Sequence, residues 1–150
     1  MNPSRKLWTG IATLTLALTV LEVAAVGVMA RLFAGEESAT SAPLAKGIAL
    51  LLATPPKWDA AGGAIDFPYW FFATVAMEWT WGRGGTWGKW RESMLPVLAK
   101  SRRIDGGVCV HAGSWDPADA WGQDGGRIAA TAFGASILAI GSMCYPPPGR

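Results

Sequence analysis

Apolar and polar positions fall along this chain into five blocks, each with its own spacing. The first is a nearly unbroken apolar run from Leu7 to Ala30, interrupted by Glu22 and preceded by Arg5 and Lys6. A run of that length is about that of a bilayer span, and positive charge ahead of it fits an anchor. An acid inside a span is costly unless paired, and a helix apolar on all sides also serves as the buried helix of a soluble fold. A buried helix is the expectation, a membrane anchor the alternative, and a cleavable leader a third reading without a clean small-residue cleavage site. The second block starts near Ser41 or Ala42, with Pro43 in its first turn, and sets Leu44, Ile48 and Leu51 on one face. Pro55-Pro56 stops it, because the residue before a proline is pushed out of helical geometry.

The third block begins at Asp66, a good N-cap, with Pro68 in the first turn, and runs to Gly82 with Glu78 the one charge inside the helix that Asp66 caps. Trp87, Trp90, Met94 and Val97 or Leu98 recur at helical spacing in the fourth, from about Thr86 to Ser101, where Pro96 is expected to kink or split the last turn. The fifth runs from about Arg127 to Met143, charged only at its start, and ends in Tyr145-Pro-Pro-Pro. Between the fourth and fifth lies a long glycine- and aspartate-rich strap, Ser101 to Arg127. A connection of that length without its own period is unusual and is either functional or tightly packed. Blocks one, three and five are poor in charge, whereas two and four carry it on one face. Inner helices must be apolar all round and outer ones need a wet face, so the alternation predicts an all-α fold of about five helices, arranged as an α/α barrel or solenoid. Trp58-Asp59 with Gly62-Gly63, then Trp115-Asp116 with Gly125-Gly126, form a weak internal echo ahead of blocks three and five.

The expected organisation is an apolar helix over 1–33, a helical repeat region over 34–143 and a proline-rich tail over 144–150. At 150 residues and 51% apolar the chain builds one core, and a net charge of +2 without a basic stripe gives nucleic acid no footprint. Nine tryptophans point to many packed helix ends or an aromatic-lined cavity. Two cysteines, Cys109 and Cys144, make no disulfide framework.

Several stretches resemble a known family. Arg102-Arg103-Ile104-Asp105-Gly106 followed by Gly113-Ser114-Trp115 resembles the QW repeat of squalene and hopene cyclases, in which a Gln ends an outer helix and a Gly and a Trp follow. Lys46-Gly47 with Leu50-Leu51 is similar to the front of that repeat. The run Asp66 to Met77, Gly125-Gly126-Arg127 leading to Thr131-Ala132, and Val26-Gly27 with Arg31 and Phe33 resemble bacterial prenyltransferase/squalene oxidase repeat proteins. The resemblance spans residues 20 to 135 and implies the terpenoid cyclase/protein prenyltransferase α/α toroid, of which this chain looks like a final or degenerate part. Arg102, Gly106 and Trp115 take the QW-like positions, with Arg102 where the repeat has Gln; a guanidinium also stacks on an indole. Trp115 is therefore expected to be buried against the end of the fourth helix, near Arg102.

Cyclases of this family protonate substrate with an Asp-x-Asp-Asp motif, which this sequence lacks. Asp116 and Asp119 are the nearest acid pair and read first as turn residues. Prenyltransferases hold zinc with Asp, Cys and His; Asp105, Cys109 and His111 lie close together here, but their spacing matches no zinc motif and a loop role is the expectation. Nothing in the sequence points to a serine–histidine triad, no phosphate-binding glycine motif is present, and no cofactor is expected. Tyr69, Trp70 and Phe72, beside Phe71, are candidate walls for an apolar ligand such as an isoprenoid, against plain core packing. The expected function is a non-catalytic binding or scaffolding module for an apolar ligand or partner. An isoprenoid-handling enzyme or fragment of one, and a membrane-anchored protein with contact through residues 7–30, remain alternatives. The expected location is correspondingly cytoplasmic or membrane-associated.

Overall fold

A computed structural model describes residues 19–61, 63–80, 85–104 and 111–142. The fold is all-α, with five helices and no strand among the described residues. The helices are α1 (residues 19–33), α2 (Ala42–Ala53), α3 (Phe67–Glu78), α4 (Thr86–Ser101) and α5 (Gly122–Ser142). Their limits follow from local chemistry. The Ser41 hydroxyl accepts from the Leu44 N–H at 3.4 Å and caps α2. At its other end Thr54 closes the helix onto the Leu50 and Leu51 carbonyls just before Pro55-Pro56. Asp66 caps α3, taking the Tyr69 N–H at 2.9 Å. That helix stops at Glu78, short of the predicted Gly82, because the Thr80 hydroxyl turns back onto the Met77 carbonyl at 2.6 Å.

Two expectations about helix shape meet different outcomes. Pro96 lies within α4, yet the helix continues unsplit to Ser101. By contrast, α5 starts earlier than predicted, with a short leading turn from Gly122, a break at Gly126 (φ +59°) and a long arm from Arg127 onward. The left-handed backbone at Gly126 is one that side chains rarely adopt, and it gives the long arm its own direction.

The core is centred on α3, seven of whose twelve residues are buried. It packs against both α4 and α5, which also touch each other, while α2 packs on α4. Trp58, Phe67 and Trp70 form an aromatic cluster with ring centroids 5.3–6.5 Å apart. The Trp90 indole N–H donates to the Thr74 hydroxyl at 3.0 Å, and that hydroxyl donates to the Trp70 carbonyl at 2.6 Å, so two buried polar groups satisfy each other.

The expectation that the first and fifth helices are buried on all sides is corrected. On α1 only Ala25, Val28 and Leu32 are buried, while Val20, Val23, Val26 and Phe33 face outward. The helix lies on α2, where the Val28 side chain occupies the space a Cβ at Gly47 would need, and on the end of α3, where Phe33 and Trp79 sit 4.5 Å apart. On α5, Ala130, Gly134, Ile137 and Gly141 face inward, while Ile128 is 86% exposed. Apolar composition told of helices, but too few neighbours surround these two to cover every side. None of the described helices is long and apolar enough to cross a membrane.

Candidate functional site

The strap returns to the end of α4 and is clamped there. The Arg103 N–H donates to the Ser114 carbonyl at 2.9 Å, and the Gly113 N–H to the Arg103 carbonyl at 2.8 Å. Gly113 turns with φ +84° to make this closure. Trp115 follows and is 2% exposed. Its indole N–H donates to the Leu98 carbonyl at 3.1 Å and the Ser101 hydroxyl at 3.2 Å, supplying a donor where the last turn of α4 has carbonyls to satisfy. The ring lies on α5, where a Cβ at Gly134 would come within 2.7 Å of it. One tryptophan thus joins the strap to two helices.

Arg102 is not part of this joint. Its extended backbone at the helix end turns the chain outward, and the side chain is exposed. The cations at the strap are Arg103 and Arg127 instead. Both pair with Asp116, Arg103 at 3.2 Å, and Arg127 also donates to the Ser114 hydroxyl at 3.1 Å and the Trp115 carbonyl at 3.4 Å. Partial burial pulls the Asp116 carboxyl upward, but the bond and charge of Arg127, reinforced by Arg103, outweigh it and hold the group below the usual carboxylate range. An acid so held does not give up a proton to an alkene.

A second group of acids converges at the start of α3. Asp66 is 1% exposed. Its Oδ1 caps the helix, while Oδ2 is sealed from solvent and makes no hydrogen bond of ordinary length. Burial pushes this carboxyl up to about 7, against the pull of the Tyr69 N–H and with the help of the nearby Glu22 and Asp119 charges. Asp119 reaches the same helix end from the strap: the Phe67 N–H bonds to it, but burial and the Glu22 charge leave its carboxyl raised. Glu22 arrives from α1 and takes the Trp121 indole N–H at 2.7 Å. In the sequence Asp66 reads as a cap and Glu22 as an interruption in an apolar run. Nothing along the chain shows that the two meet, and a lone acid in such a run is the only signal that one of them needs a partner.

The candidate ligand walls belong to the core. Tyr69 and Trp70 are buried, the Tyr69 hydroxyl donates to the Thr54 carbonyl at 2.7 Å, and Phe72 packs partly buried against the same cluster. Burial pushes the Tyr69 phenol up to about 12. None of the three lines either of two open hollows. One, of about 270 Å³, lies among Leu32, Ile48, Thr80 and Thr86. The other, of about 480 Å³, lies among Trp58, Pro96, Val97, Lys100, Ser101 and Asp116. Of the candidate metal ligands, Asp105 and Cys109 lie outside the described residues, as does Gly106 of the QW-like positions. His111 is half-buried, and its carbonyl accepts from the Ser114 hydroxyl at 2.6 Å. Among the described residues no three His, Cys, Asp or Glu side chains are placed to hold a metal ion. Comparison with protein-family models, with curated proteins and with solved structures finds no match to this chain.

Proposed function

We propose that the chain is a non-catalytic helical binding module, built on the terpenoid-cyclase-like toroid plan its sequence resembles, that takes an apolar partner on its surface. The observation that carries this is the outward stripe of α1. Val20, Val23, Val26 and Phe33 are 38–67% exposed, although the opposite stripe of the same helix is already committed to the fold. A continuous apolar face of this kind marks an interaction surface more than a random scatter does. Trp79, tilted against Phe33 and 41% exposed, extends it.

The toroid plan draws support from Trp115, whose seat at the end of α4 is the one the QW-like reading expects. A non-catalytic role draws support from the acids. Asp116 is paired with two arginines, and Asp66 is sealed in the core and lines neither hollow. The test is binding of the apolar dye 8-anilinonaphthalene-1-sulfonate to the full chain and to a Val20→Glu, Val23→Glu double variant with an unchanged far-ultraviolet spectrum. A several-fold loss of bound dye is expected; equal binding refutes the surface. Any polycyclic product formed from squalene by the purified chain refutes the non-catalytic reading.

A further inference from the structure

We infer that Glu22, Asp66 and Asp119 form a proton-holding clasp that fastens α1 to the rest of the fold and loosens when that proton leaves. The clasp is independent of any partner on the outer face of α1. It stands on the way three elements meet. Asp66 cannot move away, because it caps α3 and is sealed in the core. Asp119 is held on the strap by the Phe67 N–H of the same helix. Glu22 is the third member and stands on α1, tied across the cluster by the Trp121 indole. Asp66 Oδ2 has no hydrogen-bond partner of ordinary length, although the Glu22 carboxyl is near enough to bear on its proton.

A buried oxygen without a partner is costly when charged and much less so as a hydroxyl that can turn toward a neighbouring carboxylate. Three carboxylates close together cannot all ionise without repulsion. Among the described residues, the groups acting on Asp66 are Glu22 from α1, Tyr69 of the helix that Asp66 caps and Asp119 from the strap, and no cation is among them. When the last proton goes, the repulsion is relieved at the element with the smallest hold. That element is α1, which is buried along a single stripe. Its departure would bare Ala25, Val28 and Leu32.

The sign is set by Asp66. Its folded carboxyl titrates at about 7, above the ordinary value of 3.8, so the folded chain keeps a proton that the unfolded chain releases between those values. The stabilisation is complete below the unfolded value and is lost as pH rises through about 7. The experiment follows amide exchange of residues 19–33 in the full chain from pH 5.5 to 8.5, corrected for the base-catalysed intrinsic rate. Protection in α1 should fall about tenfold or more across this range, while protection in α3 falls less. Asp66→Asn keeps the cap acceptor and supplies a permanent N–H donor, so it should abolish the fall. Glu22→Gln keeps the acceptor for Trp121 and removes one charge, so it should move the fall to lower pH and reduce it, because Asp66 no longer ionises against a like charge when it loses its proton. A wild-type α1 whose corrected protection is flat with pH overturns the inference. So does an unchanged profile in a folded Glu22→Gln variant, even if Asp66→Asn does not fold.

Discussion

Trp115 shows how much one side chain can carry here. Its indole is buried, its N–H has two acceptors at the end of α4, and its ring replaces the side chain that Gly134 lacks. Truncation leaves a cavity and strands the strap, and loss of a large core aromatic costs about 3–5 kcal/mol. Trp115→Ala is therefore expected to lower the thermal midpoint strongly, and Gly134→Ala, which forces a methyl into the ring, by about 1–3 kcal/mol. Arg102→Ala should melt with the parent, because that side chain is exposed and outside the joint. Thermal denaturation of the three variants checks the ranking; a Trp115→Ala protein as stable as the parent would refute it.

Among the elements, α4 is the one that defies its local sequence. Proline in a helix interior removes a backbone donor and crowds the carbonyl four residues earlier, yet α4 passes through Pro96 unbroken. Trp87, Trp90, Met94 and Leu98 are buried along one side of it, and this anchoring outweighs the local penalty. Pro96 itself is exposed, so Pro96→Ala should restore the missing bond without disturbing the core. Proline is about 3 kcal/mol worse than alanine in a helix, and the freer unfolded chain returns up to about 1 kcal/mol of that. A net gain on the order of 2 kcal/mol is expected in urea unfolding at constant m-value. A loss of stability would mean that Pro96 is needed for the hollow it shares with Trp58 and Lys100.

For the molecule as a whole, acids shifted in opposite directions set opposite limits on stability with pH, Asp116 among the lowered ones and Asp66 among the raised ones. Asp116 is depressed by its arginines, so its contribution is present above the unfolded carboxylate range and disappears as pH falls through its lower folded value. Asp66 is raised, so its contribution disappears as pH climbs toward about 7. The thermal midpoint should therefore pass through a maximum on the acid side of neutrality. Asp116→Asn is expected to flatten the acid limb and leave the neutral limb in place. Thermal melts from pH 3 to pH 8 read both limbs, and a variant that loses both, or neither, contradicts the assignment.

Five helices and several of their ends were legible along the chain. Ser41, Asp66, Pro43, Pro68 and Pro55-Pro56 mark ends by local hydrogen bonding and backbone sterics, and those forces act within a few residues. The sequence also pointed to Trp115 at the end of α4, because a long polar strap must be pinned somewhere and the helix end has carbonyls without donors. Tertiary structure decided what depends on separations the chain does not encode. Whether α1 and α5 are covered on one side or all round turns on how many neighbours reach them, and composition cannot count neighbours. The choice of Arg103 and Arg127 over Arg102 turned on the extended backbone at the end of α4, which sends one guanidinium outward. Glu22, Asp66 and Asp119 lie far apart in the chain, and only the folding of α1 and the strap onto the start of α3 brings their charges close enough to hold a common proton.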